Sequence, residues 1–130
     1  DLNKTDRRES GYCRVKVEGK DLSFYGKKIK TKNKNFWVYA ANPGKIKKPT
    51  NSHPIVQSYV DLFIGGCFQI KEKYKINEFP KQCVETTTEW SKHWVNDRVH
   101  ARRPFLVPNF YKIDKLLSNY FDYYLENKYQ

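Results

Sequence analysis

Apolar and polar residues alternate in the N-terminal part of the chain. Cys13, Val15 and Val17 are separated by basic side chains, which is the two-residue period of a β-strand with one buried face. Residues 36–40 form an aromatic and β-branched run, and residues 42–44 have the turn sequence Asn-Pro-Gly. The pattern therefore predicts two strands, the second of which ends at a tight turn.

Weaker signals complete this N-terminal part. Leu22 and Phe24 predict a short additional strand between the other two. Residues 1–11 are polar, and we expect them to be flexible. Residues 12–50 are therefore expected to form a small, basic, antiparallel β segment.

The hydrophobic period changes after His53. From Ile55 to Phe68 apolar residues recur at steps of one, three and four residues, which indicates one face of an amphipathic helix. Asn51 or Ser52 is expected to cap this helix, and Pro54 suits its first turn.

Two more helices are predicted by the same spacing. One begins near Pro80 and ends at Pro104, and the other begins at Asn109 and continues through residues spaced by three and four. Residues 51–130 are therefore expected to form a three-helix, bundle-like half. The predicted fold class is α+β, with residues 12–130 forming a single domain.

Charge is unevenly distributed along the chain. The 130 residues carry 25 Lys and Arg against 14 Asp and Glu, a net charge of +11. Residues 1–50 hold 14 of these basic residues and 5 of the acidic ones. A chain this basic attracts anionic partners such as nucleic acid, acidic glycans, anionic lipid or acidic proteins.

Lysines and aromatic residues are interleaved in this basic part. Lysines neutralise phosphates or sulfates, and exposed aromatic rings stack on bases or sugars or insert at a membrane interface. The alternative is that the aromatic residues belong to the core and the lysines form a solubilising rim. A second group of arginines ends the predicted second helix, where it either contacts anions or complements the helix dipole. The candidate binding residues are Lys27, Lys28, Lys30, Lys32, Lys34, Trp37, Tyr39, Lys45, Lys47, Lys48, Arg98, Arg102 and Arg103.

Three cysteines permit one disulfide and one remaining thiol. Cys67 lies on the apolar face of the first predicted helix and Cys83 opens the second, so a bridge between these helices is expected. Pairing of Cys13 with either one, or three reduced thiols, are the alternatives. The chain has no methionine, which is typical of a processed mature protein or an excised domain. We expect a secreted protein with one disulfide, and an intracellular domain is the alternative.

Acidic and imidazole side chains recur at four-residue steps in the predicted second helix. Two carboxylates and two imidazoles on one helix face are able to bind a metal or transfer protons, although the same pattern is common on solvated helix faces. The candidate catalytic residues of this alternative are Glu89, His93 and His100. We predict no cofactor.

Several short matches in the helical half are similar to one known family. Residues 54–128 resemble the gastropod sperm lysins and their companion acrosomal fusion protein, which are secreted, basic, aromatic-rich and helical. The resemblance implies a non-enzymatic role in fertilization, either binding egg-coat glycoprotein or perturbing the egg membrane. The matching residues are Lys92-His93-Trp94, Arg103-Pro104, and Tyr120-Phe121 with Leu125 and Lys128.

Three functions are therefore weighed. The leading hypothesis is a secreted, non-enzymatic binding protein whose basic face engages an anionic glycoprotein, glycan or membrane surface. The second is a nucleic-acid-binding domain of a larger intracellular protein, which a disulfide between Cys67 and Cys83 would argue against. The third is a small metal-dependent or acid–base nuclease or hydrolase toxin.

Overall fold

The computed structural model describes residues 1–27, 29–103, 108 and 110–126 of the chain. The chain divides into two compact units, Asp1–Lys47 and Lys48–Gln130. This division lies close to the change of hydrophobic period in the sequence, where a basic β-rich part gives way to a helical part. The fold class is α+β, as predicted.

The first unit contains an antiparallel pair of strands. Strand β1 (Tyr12–Val17) pairs with β2 (Phe36–Ala41) over all their residues, with Val15 opposite Val38. Leu22 and Phe24 do not form the predicted strand, and they lie half-buried in the connection between β1 and β2. The sheet in the described part of this unit consists of β1 and β2, so Leu22 and Phe24 have no neighbouring strand with which to form ladder hydrogen bonds.

A short helix precedes the two strands. Helix α1 (Leu2–Arg8) occupies most of the segment that was expected to be flexible. The Asp1 carboxylate accepts a hydrogen bond from the Asn3 backbone N–H at 3.0 Å, and Arg7 and Arg8 lie in the last turn. Both features match the helix dipole, and both were readable in the sequence.

The apolar face of the β1–β2 pair is exposed. Val15 and Val38 face each other across the strands and retain 45% and 48% exposure. No described residue of the first unit is fully buried. The two-residue period therefore predicts correctly which side chains share a face of the strand pair. The apolar face stays exposed because the described part of this unit has no second layer of secondary structure that buries it.

The described part of the second unit is built around four helices and a very short parallel pair of strands. Strand β3 (Ile55–Val56) runs directly into helix α2 (Gln57–Tyr74), and helix α3 (Phe79–Glu85) follows. Strand β4 (Trp94–Val95) pairs in parallel with β3. Helix α4 (Phe110–Ser118) and helix α5 (Asp122–Glu126) complete the described part of the unit.

Helix α2 begins later than predicted. Asn51 and Ser52 do not cap it, because residues 55–56 are extended and pair with β4. Instead, the Asp97 carboxylate accepts a hydrogen bond from the Ser58 backbone N–H at 2.8 Å. The capping residue is 39 positions away from Ser58 in the sequence. No local pattern could therefore have predicted this cap.

The predicted second helix is wrong beyond Glu85. Helix α3 ends there, and residues 86–88 are three consecutive threonines, which are poor helix formers because of their β-branching. Glu89 then adopts a left-handed backbone with φ of 64°. Trp94 and Val95 pair with β3, so tertiary pairing overrides the helical spacing of the later residues.

The predicted third helix is divided into two. Helix α4 ends at Ser118, and the N–H of Phe121 bonds to the Leu117 carbonyl at 3.0 Å before α5 begins. The break brings Phe121 against Trp90, with ring centroids 5.2 Å apart. The Asn109 cap predicted for this helix lies outside the described residues.

The core of the second unit joins α2, α3, α4 and α5. The disulfide between Cys67 and Cys83 links α2 to α3 and confirms the predicted pairing, while Cys13 is free and exposed. Trp90 and Trp94 stack on each other at 5.6 Å beside the core. The buried apolar residues are Val60, Ile64, Cys67, Val84, Ile113, Leu117 and Tyr124.

Candidate functional site

The connection between β1 and β2 carries the densest positive charge of the first unit. We call this connection, residues 18–35, the lysine segment. All of its described lysines from Lys27 onward are exposed, and none of them forms an ion pair with another described residue. Lys28 lies outside the described residues. The others are Lys27, Lys30, Lys32 and Lys34.

Tight backbone geometry shapes the lysine segment. A Cβ atom added at Gly19 would lie 2.7 Å from Thr31 Oγ1 and 2.9 Å from Thr31 Cβ, so only glycine permits this approach. The Lys34 N–H bonds to the Thr31 carbonyl at 3.0 Å, and Asn33 between them has a left-handed φ of 62°. The segment therefore folds back on itself at a defined turn, with lysines before, within and after it.

Two acids, Glu18 and Asp21, lie within the lysine segment. Glu18 lies 3.9 Å from Lys16, Asp21 forms no ion pair with any described residue, and Asp6 of α1 binds Arg14 at 2.9 Å. None of these acids pairs with the described lysines from Lys27 onward, so the ammonium groups of those lysines are accessible to an external anion.

Trp37 and Tyr39 lie on the polar face of the strand pair, opposite Lys16 and Arg14. The Arg14 guanidinium lies 4.8 Å from the centroid of the Trp37 ring, which is 38% exposed. The Tyr39 hydroxyl donates to Asp6 Oδ1 at 2.6 Å, and this hydrogen bond is the main reason that the pKa of Tyr39 is raised. Trp37 is thus the accessible ring, whereas the polar end of Tyr39 is already engaged.

Two cationic residues of this face were missed by the sequence analysis. Arg14 and Lys16 alternate with the apolar residues of β1 and were assigned only to its solvated side. The antiparallel register places both opposite the predicted aromatic contacts. Their alternation with the apolar residues of β1 indicated which face they occupy. Only the pairing register between β1 and β2 identifies the aromatic residues that they face.

The remaining predicted lysines, Lys45, Lys47 and Lys48, are exposed but lie in different units and have different neighbours. Lys45 ends the short 3-10 helix Pro43–Lys45, and Lys47 follows it. Lys48 begins the second unit, where its ammonium lies 3.7 Å from Glu89.

The three predicted arginines have different surroundings. Arg98 is not an anion contact, because its side chain is only 19% exposed and is bonded to Asp61 and Asp114. The Arg103 guanidinium lies 4.6 Å from the Tyr59 ring centroid. Arg102 is exposed and uses its backbone N–H to bind Asp97 at 2.8 Å.

The Arg98 guanidinium forms two bidentate bonds inside the second unit. Its Nε and Nη2 donate to Asp61 at 2.7 Å each, and its Nη1 and Nη2 donate to Asp114 at 3.1 and 2.7 Å. Burial alone lowers the pKa of Arg98, but the hydrogen bonds that it donates to Asp61 and Asp114 reverse this and raise the pKa. The site is a structural charge cluster with its polar atoms satisfied, as buried ions require.

Two further side chains complete this cluster. The Tyr124 hydroxyl donates to Asp114 Oδ1 at 2.6 Å, and burial followed by this bond raises the pKa of Tyr124. Gln57 Nε2 donates to Asp61 Oδ1 at 2.7 Å, and Gln57 Oε1 accepts from the Trp94 indole at 2.9 Å. Asp61, Asp114, Gln57 and Tyr124 are all distant from Arg98 in the sequence, so local patterns gave no sign of them.

Asp97 is a second structural carboxylate. It accepts hydrogen bonds from the Ser58 N–H, the Ser58 hydroxyl and the Arg102 N–H at 2.7–2.8 Å. Burial opposes ionisation of this group, but these bonds outweigh it and hold the pKa of Asp97 below its ordinary value of 3.8. Because the folded-state pKa is depressed, ionised Asp97 stabilises the fold above about pH 4, and this stabilisation is lost as the pH falls through the folded pKa.

Replacing Asp97 with asparagine is therefore expected to destabilise the second unit by about 1–2 kcal/mol at pH 7. The difference from wild type should shrink as the pH falls below about 4, because the aspartate of the unfolded chain takes up its proton at a higher pH than that of the folded protein. Urea unfolding at pH 7 and pH 3 measures this, and Asp122→Asn, at an exposed position of α5, is the control. A difference that stays constant down to pH 3 would contradict the assigned role.

The structure does not assemble the alternative catalytic residues on one helix. Glu89 lies in a left-handed bend, His93 Nδ1 bonds to Asn51 Oδ1 at 2.6 Å, and His100 is exposed at the end of a 3-10 helix. Within the described ranges, no three His, Cys, Asp or Glu side chains come together in a way that could hold a metal ion. The predicted acid–imidazole face is wrong because α3 ends before it begins.

No helix in the described part of the chain is both long and apolar enough to cross a bilayer. Comparisons of the chain with protein-family models, curated proteins and solved structures find no significant match.

Proposed function

We propose that this chain is a secreted, non-enzymatic binding protein whose lysine segment engages an anionic glycan or glycoprotein. The proposal rests on the exposure of four lysines and on their lack of ion pairs with described residues. These lysines are Lys27, Lys30, Lys32 and Lys34. All four are exposed on one connection, and none forms an ion pair with another described residue.

The spacing of these lysines favours a polymeric anion. Lysines carried on one connection are able to contact successive sulfates, carboxylates or phosphates of one polymer chain. Each contact releases a condensed counterion, so affinity for a polyanion depends steeply on salt. A single small anion would gain much less from the same arrangement.

The polar face of the strand pair supports the same function. Trp37 offers a partly exposed ring next to the Arg14 guanidinium. Sugars pack their apolar faces on aromatic rings, while their acidic groups bind cations. This combination suits a charged glycan, and the ring also serves as a stacking platform for nucleic-acid bases.

The disulfide favours secretion over the intracellular alternative. Disulfides persist in oxidising compartments and are rare in the cytosol and nucleus. The link between Cys67 and Cys83 therefore supports a glycan or glycoprotein partner over intracellular nucleic acid. The resemblance to gastropod sperm lysins stays a prediction, and the proposal does not depend on it.

Heparin-affinity chromatography tests the proposal. The variant Lys27→Glu, Lys30→Glu, Lys32→Glu is expected to elute at clearly lower salt than wild type. Its slope of log affinity against log salt should be smaller by about 2–3, because three counterion-releasing contacts are lost. Circular dichroism should show unchanged helices.

The matched control reverses three lysines of the second unit: Lys71→Glu, Lys75→Glu and Lys115→Glu. This variant has the same net charge, so it should elute much closer to wild type if the lysine segment is the site. Equal shifts for the two variants would show attraction by net charge alone and would overturn the proposal. Displacement from heparin by duplex DNA at lower charge concentration than by free heparin would overturn it in favour of nucleic acid.

A further inference from the structure

A groove of about 540 Å³ lies between α2 and α4 in the second unit. Gly65 and Phe68 of α2 line one side, and Pro108 and Ile113 line the other. Ile113 is only 1% exposed and belongs to the core, so the groove reaches inward to the core surface. Its volume lies within the range of small-molecule sites, which are also mainly apolar.

Gly65 lines this groove without a side chain. Gly65 and Gly66 lie in the interior of α2, where glycine is less favourable than alanine because it loses more backbone freedom. Neither has a positive φ, so the backbone conformation does not require glycine at these positions. What Gly65 supplies is the absence of a side chain beside the groove. Gly66 lines a different groove, between α2 and α3, where a Cβ would meet no atom within 4 Å.

The polar lining residues at the α2 and α4 sides carry a net positive charge. Lys73 and Lys112 line the groove together with one acid, Glu72, and the neutral Gln69. Both lysines are exposed, and neither forms an ion pair with any described residue. The Lys73 ammonium lies 5.2 Å from the Tyr74 ring centroid. The groove thus combines an apolar interior with a net positive edge.

We infer that this groove binds a small amphipathic anion, of which a medium-chain fatty-acid carboxylate is the simplest example. The hydrocarbon chain contacts Phe68 and Pro108, above the buried Ile113, and the carboxylate lies near Lys73 and Lys112. Charge complementarity selects the anionic head group, and the apolar lining selects the chain. This site lies in the second unit and does not depend on the proposed polyanion function.

Isothermal titration calorimetry of the full chain with decanoate and with decylammonium tests the inference. The two probes share a hydrocarbon chain and differ in head-group charge. Decanoate is expected to bind with one equivalent per chain, and decylammonium at least about tenfold more weakly. Equal affinity for both, or uptake of many decanoate equivalents without saturation, would overturn the site.

Two glycine variants separate this groove from its neighbour. Gly65→Leu fills the groove and should weaken decanoate binding at least about tenfold. Gly66→Leu makes the same chemical change at the adjacent position and should leave the affinity within about twofold. A Gly65→Leu protein that keeps its helical circular dichroism and its decanoate affinity would refute the inference.

Charge variants keep the test decisive even if Gly65→Leu does not fold. Lys73→Glu with Lys112→Glu should weaken decanoate binding and strengthen decylammonium binding. Lys27→Glu with Lys30→Glu has the same net charge and should leave decanoate binding unchanged while reducing heparin retention. The opposite pattern, in which only the Lys27 and Lys30 changes weaken decanoate binding, would assign anion binding to the lysine segment alone.

Discussion

Replacing Arg98 with leucine is expected to destabilise the second unit by about 3–5 kcal/mol, because removing one partner of a buried ion pair leaves an uncompensated charge. Here the change leaves Asp61 and Asp114 close together, each with a side chain only 8% exposed. Stabilities of natural domains are about 5–15 kcal/mol, so the variant should be close to unfolding at 25 °C. Urea unfolding followed by circular dichroism measures the loss.

Three comparison variants make this result specific. Arg102→Leu removes an exposed guanidinium four positions away and should cost less than about 1 kcal/mol. Arg98→Lys keeps the charge but loses the bidentate geometry, so its stability should lie between those of wild type and leucine. Adding Asp61→Asn and Asp114→Asn to Arg98→Leu should restore part of the loss. A leucine variant as stable as Arg102→Leu would show that the buried charges do not need Arg98.

Breaking the bridge between Cys67 and Cys83 is expected to destabilise the second unit by about 3 kcal/mol, the value for closing a loop of about 15 residues. The two cysteines are 16 positions apart and join α2 to α3. Cys67→Ala with Cys83→Ala should lower the urea midpoint of unfolding, and a reductant should do the same to wild type. Alanine is the suitable replacement because Cys67 is buried.

Cys13→Ala is the matched control for this prediction. Cys13 is exposed and unbridged, so its loss should leave the unfolding midpoint of the oxidised protein unchanged. Non-reducing mass spectrometry of this variant should show a mass lower by two hydrogens than that of the reduced form. Two free thiols in the Cys13→Ala variant, or a midpoint that reductant does not change, would contradict the assignment.

Local patterns predicted the parts of the fold that local forces determine. The alternation at Cys13, Val15 and Val17 predicted β1, and the three–four spacing from Ile55 to Phe68 predicted most of α2. The disulfide was predicted because two cysteines lay on consecutive elements with enough chain between them. In each case the residues whose pattern gave the prediction are the same residues that form the strand, the helix or the disulfide.

Helix α1 was missed although its signals are local, whereas most of the other errors arose because distant residues decided the outcome. Residues 86–97 have helical spacing, but Trp94 and Val95 pair with β3 instead. In the sequence Arg98 looked like Arg102 and Arg103, and only the approach of Asp61 and Asp114 distinguishes it. The lysine segment itself was predictable, since charge density is a local property, whereas the engagement of the neighbouring acids was not.

The position of Arg98 has a consequence for how the second unit opens. Its guanidinium donates hydrogen bonds to α2, near the start of the unit, and to α4, near the end. Neither helix can therefore detach without leaving an unpaired charge in an apolar interior. The intermediate with one helix released is therefore costly, and the unit is expected to exchange its core amide hydrogens by opening as a whole rather than by fraying from its C-terminus.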